Sequence, residues 1–285
     1  MSITYLDLSV FNAFIASNMN LIKTGIDGEK YPVLSSCLSR GKRKTNLLRM
    51  LRYMRSHEPL TYYGSLPYFE IPVKYLRVSY GGAAETWQSH IAFFGAVGLL
   101  EEVRPGRDTL NAVMAEAYRK AKEEGGKRTR PPTFFSCLEY TPELLTVAEA
   151  KAKEYRDAGA SFSHFRMDTM RDVEGEKAAR IFYQDTRKRS DEAEKARRLI
   201  LEAIAAAIEA KGYCLKDEAI KAARMHAKRN RKLAAAITKA GEQMKLLCTR
   251  NGYQYERSKK AHREAYGIQC GKSIILPPLE PEAPL

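Results

Sequence analysis

Near the C-terminal end the run Gly267-Ile268-Gln269-Cys270-Gly271-Lys272-Ser273 holds the residue types with which a loop can wrap phosphate. Two features argue against nucleotide binding there. The run is one residue short of G-x-x-x-x-G-K-[ST], and it precedes a strand-like stretch, whereas a phosphate loop must precede a helix whose N-terminus faces the phosphates. The five histidines, at 57, 90, 164, 226 and 262, show neither an H-E-x-x-H spacing nor a cysteine partner at ligand spacing, so no metal site is expected. Ser163, His164 and Asp168 lie close in sequence, but nearness in sequence does not make a triad, and there is no G-x-S-x-G elbow. The 16 tyrosines come without the paired-histidine metal motif that would point to strand nicking. No catalytic residue, cofactor or metal is therefore assigned, and the chain reads as a non-enzyme. The five cysteines are odd in number and far apart, without a Cys-x-x-Cys pair, and read as reduced core thiols.

Charge carries more information. The 285 residues hold 48 lysines and arginines against 34 acids, a formal charge of +14 that calls for a polyanionic partner, with nucleic acid first among them. The excess is concentrated. No acid occurs between Lys30 and His57, where Arg40, Lys42, Arg43, Lys44, Arg49, Arg52 and Arg55 gather. A second acid-free stretch between Glu218 and Glu242 carries Lys221, Arg224, Lys228, Arg229, Arg231, Lys232 and Lys239. No run approaches the roughly 18 apolar residues of a membrane span, and the first residues lack the basic and apolar regions of a secretory signal. A cytoplasmic, nucleoid-associated location and no membrane partner are the expectation.

The elements around the first basic run follow in a definite order. Residues 42–58 place Leu47, Leu48, Leu51 and Met54 at helical spacing with arginines opposite. Tyr68-Phe69-Glu70-Ile71 is extended and is stopped by Pro72, and a short helix then ends at Gly81-Gly82. In the next helix Trp87, Ile91, Phe94 and Val97 form one stripe, while Glu85, Gln88, Ser89 and Ala92 form another. Gly98 ends it, and Leu99 to Val103 reads as a strand. A helical insertion, TLNAVMAEAYRKAKEE, separates that strand from a second at Thr133–Tyr140.

This order resembles the winged-helix branch of helix-turn-helix proteins, in which the second helix of the pair enters the major groove and the hairpin after it forms the wing. The resemblance covers residues 42 to about 104. It implies that Thr86, Gln88 and Ser89 reach base edges and that Arg40, Lys42, Arg43 and Lys44 contact phosphate. Arg104, Arg107, Lys127, Arg128 and Arg130 would lie near the two ends of the wing strands. Trp87 and Phe94 belong to the core stripe, and Phe93 is left open between core packing and stacking on bases.

The C-terminal third repeats the order, with slight residue identity. Residues 191–211 form an alanine-rich helix ended by Gly212, then come an extended Tyr213-Cys214-Leu215 and a helix from Lys216 to about Met225. One long helix is expected from about Lys228 to Arg250, followed by Tyr253–Tyr255, a helix SKKAHREAY and a strand Ser273–Leu276 halted by Pro277-Pro278. A repeat strengthens either copy. Lys228, Arg229, Arg231 and Lys232 are the phosphate contacts expected here.

The expected fold class is mainly α with small β-hairpins (α+β), as two winged helix-turn-helix domains joined by helices. The divisions are an N-terminal segment 1–40, a first domain 41–140 with a helix inserted in its wing, a helical connector 141–190, a second domain 191–276 and a Pro-rich tail 277–285. The arrangement is similar to that of plasmid and phage replication initiators with two winged helices. It implies a double-stranded DNA partner and a transcription-regulating or replication-initiating role, with a homodimer optional because two reading units in one chain can imitate one. The other class is a protein-interaction module on the same scaffold, favoured by the uncharged Ala83 and Ala84 at the start of the second helix.

Overall fold

A computed structural model describes residues 6–63, 65–103, 119, 134–175, 190–269 and 271–278. It is mainly helical with two small antiparallel sheets. The chain divides into two compact units, one of Met1–Arg156 and Phe162–Thr186, the other of Asp157–Ser161 and Arg187–Leu285.

The first unit begins with α1 (Leu8–Thr24), whose N-cap Asp7 accepts a hydrogen bond from the Ser9 N–H at 2.6 Å. Phe11, Ile15 and Ile22 recur along one face and are buried where α1 packs on α3 (Arg43–Ser56). Between them lies α2 (Pro32–Ser39), with Pro32 at its start, where a missing N–H costs nothing. Glu149 accepts from the Val33 and Leu34 N–H groups at 3.0 and 2.7 Å, so a carboxylate from α6 (Pro142–Asp157) meets the positive end of α2. The stretch expected to be a separate N-terminal segment is therefore integral to this unit, as is α6 from the expected connector.

A hairpin, β1 (Thr61–Tyr63) and β2 (Leu66–Glu70), leads to α4 (Val73–Tyr80) and α5 (Ala84–Ala96). The strands β3 (Glu101–Val103) and β4 (Phe134–Ser136) complete a sheet of order β1-β2-β4-β3, in which Phe135 sits opposite both Phe69 and Glu102. The last strand is shorter than the expected 133–140. Past it, Asn18 of α1 holds the chain, donating to the Leu138 carbonyl at 2.8 Å and accepting from the Tyr140 N–H at 2.8 Å. A 3-10 turn (Phe162–His164) and α7 (Met167–Glu174) end the described part of this unit. The inserted helix expected after β3, apart from Arg119, which is helical, and residues 176–189 of the expected helical connector lie outside the described residues, as does most of the Pro-rich tail.

The second unit opens with α8 (Asp191–Lys211), capped by Ser190 and closed by Gly212 in the left-handed region at φ 77°. Then come β5 (Cys214–Leu215), α9 (Lys216–Met225) and α10 (Arg231–Glu242). They are followed by α11 (Met244–Arg250), β6 (Gln254–Arg257), α12 (Lys260–Tyr266) and β7 (Ser273–Leu276). Ile200, Ile204, Ala219, Ala223, Leu233 and Ile237 meet in its core. The expected helix from 228 to 250 is broken in two at Gln243, whose side chain accepts from the Ser161 N–H at 2.8 Å and donates to the Ser161 carbonyl at 3.3 Å. The sheet order is β5-β7-β6, with Ile275 opposite both Cys214 and Tyr255.

One relation holds in both sheets. The last strand in sequence lies between the strand that precedes the helix pair and the strand that follows it.

Candidate nucleic-acid interface

In the second unit α10 is sharply two-faced. Leu233, Ile237 and Gly241 are buried, whereas Arg231, Lys232, Ala235, Thr238 and Lys239 are exposed. Arg224 of α9 donates to the Thr238 hydroxyl at 2.8 Å and ties the two helices together. Gly241 leaves room for the Ile220 side chain, because a Cβ there would stand 2.7 Å from Ile220 Cδ1.

The turn between α9 and α10 carries Lys228 and Arg229, both exposed, and Arg229 adopts φ 69° without being glycine. A bulky residue in that region is uncommon and costs of order 1 kcal/mol. Asn230 then caps α10 by accepting from the Leu233 N–H at 3.0 Å. The first turn of α10 has no acid, so Lys228, Arg229, Arg231 and Lys232 crowd the positive end of a helix dipole, which favours anions. Such a cluster costs stability and creates a strong positive field.

Whether these cations already have partners decides what the field can do. Some lysines and arginines elsewhere are paired: Lys211 meets Glu218 at 2.7 Å, Arg171 meets Asp168 at 2.6 Å and Lys259 meets Glu256 at 2.9 Å. Among the described residues Lys228, Arg229, Arg231, Lys232 and Lys239 form no ion pair. The hairpin of this unit adds Arg257 at the end of β6 and Lys272 just before β7, both exposed. Sequence reasoning placed wing residues only in the first unit. Applying the same order to the repeat picks out Arg257 and Lys272.

The first unit corrects several expectations. Thr86 and Gln88 are exposed on the first turns of α5, as base-reading residues must be. Ser89 is buried, and its hydroxyl accepts from the Phe165 N–H at 2.9 Å, so it cannot reach a base edge. Ala92, on the same expected outward stripe, is buried too, and from Ser89 to Phe94 every residue is buried. The cover is the 3-10 turn and Phe165: Phe93 packs edge-on against Phe162 at 5.1 Å and Phe165 at 6.0 Å. That settles Phe93 as core. Trp87 and Phe94 are in the core as expected, and Trp87 Nε1 donates to the Gly81 carbonyl at 2.9 Å.

Of the first basic run, Arg40 and Lys42 are exposed. Arg43 is buried, with Nε donating to the Cys37 carbonyl and its guanidinium 6.0 Å from the Phe93 ring, so it is a core cation and no phosphate contact. Lys44 is half-buried and donates to the Lys23 carbonyl at the end of α1 at 3.0 Å. Next to Arg43, the Asn46 side chain holds His90 Nδ1 at 3.0 Å. Burial, assisted by the Arg43 charge, pushes the His90 pKa down to about 4. Arg104, Arg107, Lys127, Arg128 and Arg130 lie outside the described residues.

Among the described residues no cluster of histidine, cysteine, aspartate or glutamate is built to hold a metal, and no helix is long and apolar enough to cross a membrane. Searches with protein-family models, curated proteins and solved structures find no match to this chain.

Proposed function

We propose that the chain is a duplex-DNA-binding protein built from two winged helix-turn-helix units, in which α10 of the second unit is the groove-entering helix. The observation that carries this reading is the exposed face of α10 together with the turn before it: five cations without an acid or an ion-pair partner among the described residues, on a helix whose other face is buried. Lys228, Arg229, Arg231 and Lys232 would neutralise phosphates, while Ala235, small and outward, lets the helix approach base edges and can meet a thymine methyl. Arg257 and Lys272 would act as wing contacts. The sheet order and the sequence of helices around it support the winged-helix reading for both units.

In the first unit the base contacts are Thr86 and Gln88, because α5 is covered from Ser89 to Phe94, and Arg40 and Lys42 keep the phosphate role. A transcription regulator or replication initiator of bacterial or mobile-element type is the role we assign, acting in the cytoplasm on the nucleoid, with a homodimer optional. The test is selection of binding sites from random duplexes followed by titration of the winner against scrambled DNA. The reading predicts enrichment of one sequence, and a loss of that preference when Ala235 is made glutamate.

A further inference from the structure

The first unit carries a second basic surface with a different character. Helices α3 and α4 contain seven lysines and arginines and no acid. Arg52 and Arg55 of α3 and Lys74 and Arg77 of α4 are exposed, and among the described residues none of the four forms an ion pair. Aromatic rings sit among them. His57 stacks on Tyr53 with centroids 3.8 Å apart, and Tyr75 meets Tyr53 edge-on at 5.0 Å. Arg49 extends the surface by lying 4.9 Å over the Tyr80 ring.

Tyr53 is the fixed floor of this group, since its hydroxyl donates to the Glu70 carbonyl at 3.3 Å and anchors α3 to β2. The upper members face solvent. His57 is exposed, Tyr75 is 38% exposed, and Val78, one turn along α4, is 80% exposed. Of the neighbouring acids, Glu58 follows α3, and Glu70 of β2 adjoins Tyr53, whose hydroxyl donates to its backbone carbonyl. Scattered exposed apolar groups are ordinary, but rings and an isopropyl group gathered within an unpaired cationic field define a surface with a ligand chemistry.

We propose that this face binds single-stranded nucleic acid. Duplex DNA offers phosphates to such a surface and keeps its base faces stacked. Unpaired bases offer both, and rings interleaved with cations are the arrangement that takes base faces and backbone together. The surface lies in the first unit and uses none of the residues assigned to duplex contact.

The experiment measures the intact chain by fluorescence anisotropy against labelled oligothymidylate of about 20 nucleotides, longer than one stacking site requires, and against a duplex of similar length. Tyr75→Ala weakens oligothymidylate binding about fivefold or more, Tyr75→Phe restores it, and duplex binding stays unchanged in both. Val78→Glu, an exposed change that leaves packing intact, gives the same loss by placing an acid in the field. No binding of the strand by the wild type, or equal binding by wild type, Tyr75→Ala and Val78→Glu, overturns the proposal. Competition by polyglutamate with no sensitivity to Tyr75 also overturns it and assigns the face to an acidic protein. A chain that binds the strand through Tyr75 and ignores duplexes refutes the duplex reading and leaves this inference standing.

Discussion

Ser89 of α5 accepts a hydrogen bond from the backbone N–H of Phe165, 2.9 Å away. That bond joins the helix expected to lie in a DNA groove to a segment 76 residues further on, and Phe162 and Phe165 complete the cover over Phe93. A groove cannot occupy a face that the chain itself already fills.

Ser89→Ala should therefore act on stability and leave recognition alone. The alanine leaves a buried N–H unpaired, which costs about 1–3 kcal/mol. Urea denaturation should register that loss, while the affinity for duplex DNA of the folded variant stays at the wild-type value. A change in sequence preference would restore Ser89 to the DNA interface.

His90 makes stability depend on pH. Its folded pKa of about 4 lies below the ordinary value of 6.5, so the unfolded chain binds more protons between the two. The contribution is fully present above about pH 6.5 and is lost as pH falls towards 4, amounting to about 2 kcal/mol between pH 7 and pH 5. Denaturation midpoints at those two pH values should show the drop, and His90→Asn should flatten it. A wild type equally stable at both would mean that the imidazole protonates without leaving its site.

Gly241 leaves space for Ile220 between α9 and α10. A Cβ already falls 2.7 Å from Ile220 Cδ1, so Gly241→Leu should push the helices apart and cost about 1–3 kcal/mol as an overpacked contact. Ile220→Ala in the same chain should recover part of that loss. Independent, additive losses in a double-mutant cycle would show that the two residues do not share the contact.

How much of this was readable in advance depended on whether the deciding contact was local. Pro72, Gly81, Gly98, Gly212 and Pro277 mark the ends of elements in the sequence, and the ends fall there because proline and left-handed glycine act through their own backbone. The stripe of Phe11, Ile15 and Ile22 is equally present in the sequence, but spacing alone does not say that α1 packs on α3. Ser89 and Arg43 depart from expectation because of contacts distant in sequence. Both belong to polar faces by periodicity, and what buries them comes from elsewhere in the chain: residues 162–165 for Ser89, and a carbonyl on α2 with a ring on α5 for Arg43. The break at Gln243 has the same origin, since a glutamine inside an alanine-rich helix reads as helical until Ser161 claims its amide. By contrast the exposed face of α10 is legible, because among the described residues its basic side chains form no ion pair.

The central claim is that α10 and the turn before it meet phosphates. Duplex affinity measured over a range of salt concentrations for the wild type and for the double variant Arg231→Ala, Lys232→Ala tests it most directly. Each lost phosphate contact should lower the log–log salt slope by about one, so the double variant should be shallower by about two. Parallel lines for the two proteins, or a wild type whose affinity ignores salt, would contradict the account.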